Sequence, residues 1–305
     1  MKTRKTSMLM IATVLFGTVL TISCGKDEVI SLPPIGGFNT ADDIASSSLV
    51  AHWGFNGNDK EDKTGSTATK TVGATYSKGV VGQGLTLTDG YLLYNGLASK
   101  LATLSTDVSM SVWANVKNNG GTTNEHATSI FMMTGGATVT SGTGPADACT
   151  VVLLETSHFS AKSDTVRVKS LVGLKHTDGS IRSEDNVNWW GLDNIKNTGQ
   201  MVRTSGTWAN YILVWDNTKK IVNLYVNGKK ATNPDWEVKG GIDSFGSFTN
   251  RNIIFGGFMN NAGLTTAQET WAKPMTGMID EARIYSKVLT DAEIGALYNF
   301  GVAGR

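Results

Sequence analysis

Two adjacent tryptophans, Trp189 and Trp190, stand in a polar segment that lacks the alternation of a strand. A glycan site needs an aromatic platform for the apolar face of a sugar, and planar charged or amide groups for its hydroxyls. Arg182, Asp185 and Asn188 supply such groups in the same segment. The segment is therefore predicted to bind glycan, although either tryptophan could instead pin a long loop onto the domain.

Two further tryptophans, Trp236 and Trp271, lie in predicted loops and have fewer polar neighbours. We predict the same role for them, with core packing as the alternative. The other four tryptophans lie on apolar stretches that are typical of buried strands. Core packing is therefore predicted for Trp53, Trp113, Trp208 and Trp215.

The sequence carries no arrangement typical of a catalytic site. The acids Asp280 and Glu281 are neighbours on a predicted strand, so they point to opposite faces and cannot serve one scissile bond. A G-x-S-x-G nucleophile turn is absent. The four histidines, at positions 52, 126, 158 and 176, lack the spacing of a zinc site. We expect a protein that is not an enzyme.

The candidate residues must be positioned by predicted strands, which follow one another at short intervals along the sequence. Alternating or β-branched stretches predict strands at 49–55, 71–76, 83–88, 91–94, 108–116, 129–133, 149–156, 165–174, 208–215, 221–226, 252–258 and 278–285. Thr290, followed three residues later by Glu293, predicts the start of a short C-terminal helix. This pattern favours an all-β, antiparallel sandwich. Long loops are predicted at 117–128, 134–148, 175–200, 232–248 and 259–274.

Strict alternation in the closing strand predicts two faces. One face would carry Met278, Asp280, Ala282 and Ile284, and the other would carry Ile279, Glu281, Arg283 and Tyr285.

Several motifs occur in the order of one known family. They are G-x-I-D-E-x-R-I-Y at 277–285, L-T-D-A-E-I at 289–294, W-A-N-Y-I-L-V-W-D at 208–216 and L-Y-V-N-G at 224–228. Together they resemble the laminin-G-like, concanavalin A-like lectin/glucanase jelly-roll family. The resemblance implies one two-sheet jelly-roll domain at 49–305, while residues 117–203 match nothing specific. Catalytic members carry E-x-D-x-E or R-x-E-x-R and Q-I-H strands, which this chain lacks.

The same resemblance implies a structural calcium ion where the opening loop meets the closing strand. Calcium is bound by six to eight oxygen ligands. The matching residues here are Asp280, Asp62 and Asn58. In the alternative, Asp280 and Glu281 organise loops and pair with Arg283 without a metal.

The first residues are typical of an export signal. Lys2, Arg4 and Lys5 precede an apolar run that ends before Cys24, which predicts a lipoprotein signal peptide at 1–23 and lipidation of Cys24. An ordinary signal peptide with an incidental cysteine is the alternative. Residues 24–48 are predicted to form a flexible, lipid-anchored tether.

Charge and cysteine content narrow the function further. A net charge of +1 does not indicate the concentrated basic surface that nucleic acid requires. The other cysteine, Cys149, opens an apolar run and is predicted to be a buried thiol.

The sequence thus predicts a non-catalytic, glycan-binding lipoprotein, displayed on the extracellular face of the outer membrane. Its predicted partners are an extracellular polysaccharide and, through the lipid, the membrane. A protein-interaction or adhesion module of the same fold is the main alternative, and a divergent glycan hydrolase or lyase is the third. Periplasmic or secreted forms are the alternatives for location.

Overall fold

Sixteen strands and two helices make up the part of the chain that the structure describes. The structure is a computed structural model, and it describes residues 32–97, 101, 104–120, 126–135, 146–185, 201–246 and 251–305. The strands are β1 (Leu49–Trp53), β2 (Lys70–Lys78), β3 (Gln83–Tyr94), β4 (Val108–Val116), β5 (Ala127–Gly135), β6 (Thr150–Glu155), β7 (Val166–His176), β8 (Ile181–Asp185), β9 (Met201–Val202), β10 (Trp208–Asp216), β11 (Ile221–Val226), β12 (Lys229–Lys230), β13 (Ile242–Phe245), β14 (Arg251–Phe255), β15 (Ala272–Lys273) and β16 (Met275–Tyr285). The helices are α1 (Met259–Ala262) and α2 (Asp291–Val302).

The strands form one curled sheet. Its hydrogen-bonded order is β12-β11-β10-β4-β16-β3-β14-β5-β6-β7-β13, with β1, β2, β8, β9 and β15 attached at its sides. The strand pairs are antiparallel except for β15 with β5. Leu224 on β11 and Phe245 on β13 lie near opposite ends of this order, yet they belong to one apolar core. The two halves of the sheet therefore face each other, and the predicted all-β antiparallel architecture is confirmed.

Aromatic rings form the centre of that core. Phe255 lies 4.8 Å from the ring of Phe131 and 5.1 Å from that of Trp53, measured between ring centres. Trp53, Trp113 and Trp215 are buried, as predicted. Trp208 is only partly buried, so core packing describes it less well.

Helix α2 covers one outer face of the sheet together with the residues that precede β1. Thr290 caps the helix by accepting a hydrogen bond from the backbone N–H of Glu293, as the sequence predicts. Ala41 and Ile44 are 6% and 0% exposed and belong to the same apolar cluster as Phe300. The prediction of a flexible tether up to residue 48 is therefore wrong at its C-terminal end. The compact unit spans Pro34–Arg305.

A β-bulge in β16 overturns the predicted alternation. Asp280 pairs with Trp113 and Arg283 with Ser111, so β16 carries one extra residue between these pairs. Glu281 takes a φ of 48° at this point. Beyond the bulge the faces exchange, and Ile279, Ala282 and Ile284 all enter the same core.

Three predicted loops contain regular structure. The segment 175–200 includes β8, the segment 232–248 includes β13, and the segment 259–274 includes α1 and β15. The two strands predicted at 83–88 and 91–94 are one strand, β3.

Two further predictions concern Cys149 and the membrane. Cys149 is 1% exposed, so the thiol is buried as predicted, and burial raises its pKa to about 12. Among the described residues, no helix has the length and apolar character needed to cross a membrane. The predicted signal peptide and Cys24 lie outside the described residues.

Candidate functional site

Strand β8 carries the first two predicted ligand-binding residues. It pairs with β7 so that Arg182 lies opposite Leu174, and Asp185 lies opposite Leu171. The hairpin turns at Asp178 and Gly179, where Gly179 has a φ of 85° and Asp178 accepts a hydrogen bond from the N–H of Ser180 at 2.9 Å. Aspartate followed by glycine is a hairpin signal that the sequence carries.

The predicted tryptophan pair follows β8 directly along the chain. Trp189, Trp190 and Asn188 lie outside the described residues, and their role in binding stays a prediction.

Trp236 lies beside the end of β8, although it is far from it in sequence. It closes the 3-10 turn Pro234–Trp236, in which the side chain of Asn233 accepts a hydrogen bond from the N–H of Asp235. The ammonium group of Lys239 is 5.2 Å from the centre of the Trp236 ring, and it donates a hydrogen bond to the carbonyl of Asp185. We call the surface formed by Arg182, Glu184, Trp236, Lys239 and the backbone carbonyl of Asp185 the Trp236 surface.

The carboxylate of Glu184 contacts two side chains at the Trp236 surface. Glu184 lies 3.2 Å from Nε2 of His176 and 4.0 Å from Nε of Arg182. Burial, the largest effect, raises the pKa of Asp185 and lowers that of Lys239. Arg182 remains accessible, since its side chain is 54% exposed.

Trp271 has a different environment from Trp236. Its ring meets the ring of Phe258 edge-on, with 5.2 Å between centres and 77° between planes. Its carbonyl accepts a hydrogen bond from Ala127, at the start of β5. These contacts attach the segment around α1 to the sheet. They correspond to packing, which is the alternative to glycan binding for Trp271.

Each of the three predicted calcium ligands accepts hydrogen bonds from different backbone N–H groups. Asp280 accepts hydrogen bonds from the N–H groups of Val80 at 2.8 Å and Val81 at 3.0 Å, and so organises that turn. Asp62 accepts one from Gly54, and Asn58 accepts one from Lys60.

Within the described ranges, no group of three or more His, Cys, Asp or Glu side chains could hold a metal ion. Calcium binding stays a prediction. Burial, reinforced by the charge of Glu281, raises the pKa of Asp280 to about 7.

A charge cluster surrounds His52, and of its contacts the sequence predicted, as the alternative to calcium binding, only the pairing of Glu281 with Arg283. Nδ1 of His52 is 3.3 Å from Asp42 and 3.2 Å from Asp62, and its Nε2 is 3.5 Å from Glu281. Arg283 lies 2.6 Å from Glu281 and 3.0 Å from Asp42. The cluster ties the segment before β1 to the opening loop and to β16, so it stabilises the junction of three segments.

Sequence reasoning also missed a polar cleft near the first predicted loop. The cleft has a volume of about 220 Å³, which is below the range of about 300–1,000 Å³ found for small-molecule sites. Its described lining residues are Asp89, Val116, Lys117, Asn119, His126, Thr128, Thr156, Pro274 and Thr276. They come from five separate segments, so only the folded chain brings them together.

The comparisons with known proteins agree with this architecture. A family model described as the concanavalin A-like lectin/glucanases superfamily matches residues 88–295. The chain belongs to this laminin-G-like family, and it is a lectin/glucanase-fold domain. A search of curated proteins finds no match.

Several solved structures are similar to the chain. Domain 4 of AbnA, a GH43 extracellular arabinanase from Geobacillus stearothermophilus in complex with arabinotriose, is 18% identical, with a TM-score of 0.49 over 82% of this chain and 98% of that chain. The binding domain of Paraclostridial mosquitocidal protein 1 is 15% identical, with a TM-score of 0.45 over 84% of this chain and 52% of that one. The binding domain of botulinum neurotoxin DC in complex with SialylT is 15% identical, with a TM-score of 0.46 over 84% of this chain and 52% of that chain. The chain thus spans about half the length of the two toxin domains.

Proposed function

We propose that this domain binds an extracellular glycan at the Trp236 surface and performs no chemistry on it. The observation that carries the proposal is the position of Lys239, which contacts both the Trp236 ring and the carbonyl of Asp185. This contact joins two segments that the sequence independently marks as candidates. Trp189 and Trp190 follow Asp185 by four and five residues in the sequence, and their part in binding belongs to the proposal.

The Trp236 surface offers the chemistry that a sugar requires. An indole ring packs against the C–H face of a pyranose, and planar charged groups hydrogen-bond with pairs of hydroxyls. Arg182 and Glu184 supply such groups, with side chains that are 54% and 30% exposed.

The arrangement of acids supports binding rather than hydrolysis. Glycosidases need two carboxyl groups that flank the scissile bond, about 5–10 Å apart. On β8, Glu184 and Asp185 are neighbours, so their side chains point to opposite faces of the strand and do not flank one bond. The polar cleft contains one carboxylate, Asp89, among its described lining residues. We therefore propose a protein that performs no chemistry on the glycan.

Display at the cell surface is part of the proposal. A lipid on Cys24 would hold the domain at the outer membrane and raise the local concentration of binding sites, so that weak single-site affinity suffices for capture. Intact-mass measurement of the mature protein tests this point. A diacylglyceryl mass that disappears in Cys24→Ser supports anchoring, whereas an unmodified wild-type chain contradicts it.

Affinity electrophoresis of the full chain through polysaccharide gels, with and without calcium, tests glycan binding. We expect migration to be retarded by at least one polysaccharide, and the retardation to be lost in Trp236→Ala. Trp189→Ala and Trp190→Ala test the adjoining segment. Trp271→Ala is the matched control, because that ring packs against Phe258.

A protein partner is the second candidate, and one observation favours it. Val238, two residues after Trp236 in the sequence, is a large apolar residue that is 70% exposed. If the folded chain passes unretarded through every polysaccharide tested, the glycan proposal is wrong and a protein partner becomes the better explanation.

A further inference from the structure

A groove between α2 and the hairpin of β11 and β12 shares no lining residue with the Trp236 surface. It consists of two cavities with volumes of about 400 Å³ and about 460 Å³. Asn227 and Tyr298 line both cavities, which makes the groove continuous. Each volume falls within the range of small-molecule sites in proteins.

Aromatic side chains form one part of the groove. Trp113 stacks on Tyr298 with 5.8 Å between ring centres and 11° between planes. Gly301 of α2 lies directly against Trp113, since a Cβ at this glycine would come within 2.3 Å of the indole ring. Trp208 lines the same cavity and is only partly buried. The groove therefore has a fixed aromatic wall with an accessible indole.

Basic side chains form the other part. Arg203, Lys229 and Lys230 line the second cavity, and no acidic residue lines either cavity among the described residues. Lys230 is held by Glu237 at 2.6 Å, and Arg203 is 3.9 Å from the exposed Asp164. Lys229 is exposed and has no acidic partner in the described part of the chain. In a chain whose net charge is only +1, this concentration of positive charge is local.

We propose that this groove is a second binding site and that its ligand is an acidic oligosaccharide. The anionic groups of the sugar would lie against Lys229 and Arg203, while a pyranose face packs on Trp208. Arginine binds carboxylate and sulfate groups through paired hydrogen bonds, and lysine binds them as a point charge. An aromatic wall beside cations fits an acidic sugar better than a free anion, because an anion alone has no apolar face to bury. Carboxylated and sulfated sugars share this chemistry.

Isothermal titration of the full chain with three oligosaccharides of equal length tests the proposal. One carries carboxylates (oligogalacturonate), one carries sulfate esters, and one is neutral (an oligomaltoside). We expect an acidic probe to bind and the neutral probe to bind at least about tenfold more weakly, since the neutral probe forms no charge-assisted hydrogen bond with Lys229 or Arg203. The stronger acidic probe identifies the anionic group.

Two variants separate the groove from general charge attraction. Lys229→Gln should weaken binding of the acidic probe about tenfold. Lys219→Gln is the matched control, because Lys219 is also exposed and follows β10 but does not line the groove. Trp208→Ala, checked for folding by its thermal melt, should weaken binding as well. Retention by neutral polysaccharides should be unchanged in Lys229→Gln, so this test and the test of the Trp236 surface can fail independently.

Three results would overturn the proposal. The first is that neither acidic probe binds the folded chain. The second is that Lys219→Gln weakens binding as much as Lys229→Gln, which would indicate diffuse charge attraction. The third is that a short DNA duplex binds as tightly as the sugars and is equally sensitive to Lys229→Gln, which would make the groove a general polyanion site.

Discussion

The ammonium group of Lys239 lies 5.2 Å from the centre of the Trp236 ring and donates a hydrogen bond to the carbonyl of Asp185. Lys239 is only 6% exposed, so this contact is held inside the protein rather than in solvent. It fixes the 3-10 turn that carries Trp236 against the end of β8. One lysine thereby positions an aromatic ring beside the polar groups of a separate hairpin.

Replacing this lysine should loosen that arrangement. We expect Lys239→Met to lower the free energy of unfolding by about 1–3 kcal/mol, because a charge-assisted hydrogen bond and a cation–π contact are lost. Urea denaturation measures the change. Lys219→Met is the control, since its side chain is 69% exposed. Equal stability of the two variants would show that Lys239 does not hold the turn.

The buried pair of Glu281 and Arg283 should be much more sensitive to substitution than exposed pairs. Their side chains are 8% and 6% exposed and lie 2.6 Å apart. Removing one partner of a buried pair leaves an uncompensated charge and costs about 3–5 kcal/mol. We expect Glu281→Ala to lie near the lower end of this range, because Asp42 also contacts Arg283.

Denaturant unfolding of Glu281→Ala beside Asp243→Ala provides the comparison, since the side chains of Asp243 and its partner Lys175 are 50% and 43% exposed. A loss below about 1 kcal/mol, the value of a typical surface pair, would contradict a stabilising role for the cluster.

Asp280 should make stability depend on pH. Its pKa is raised to about 7 from 3.8, chiefly by burial, so folding favours its protonated form. That contribution is fully present below about pH 4 and is lost as the pH rises toward 7. In Asp280→Asn the side chain cannot ionise. We expect wild-type stability to fall relative to Asp280→Asn between pH 4 and 7.

Thermal melts at intervals across this range measure the difference between the two proteins. The amide also loses a hydrogen bond, which shifts the variant by a constant amount, so the slope of the difference is the test. Parallel curves from pH 4 to 7 would refute the raised pKa.

Phe255 should be among the most costly side chains to truncate. It is 0% exposed and contacts the rings of Trp53, Phe55, Tyr94 and Phe131. We expect Phe255→Ala to cost about 3–5 kcal/mol, since a cavity remains where the ring was. Phe159→Ala is the control, because Phe159 is only partly buried. Urea unfolding measures the free energy of unfolding of both variants. Similar losses of stability in the two would show that Phe255 is not the centre of the core.

Local sequence patterns predicted most of the strands, because alternation and β-branched runs follow directly from the pleat of a sheet. The strand β8 was missed although Asp178 and Gly179 mark its hairpin, since the polar residues around them resemble a loop. The bulge at Glu281 gives no local signal in the sequence. One extra residue there reverses the faces of half a strand.

Contacts between distant segments were beyond sequence reasoning. Asp42 lies in a segment rich in small and polar residues, and only its pairing with His52 and Arg283 reveals its role. Trp236 and Asp185 were each identified as candidates, but no pattern in the sequence indicates that Lys239 joins them. The groove beside α2 likewise depends on how the C-terminal helix packs on β4.

The most direct test of glycan binding at the Trp236 surface is a titration of wild type and Trp236→Ala with the polysaccharide that retards the wild-type chain most. The account predicts that Trp236→Ala loses at least about tenfold in affinity while its thermal melt stays close to that of wild type. Unchanged affinity in a folded Trp236→Ala variant would contradict binding at this surface.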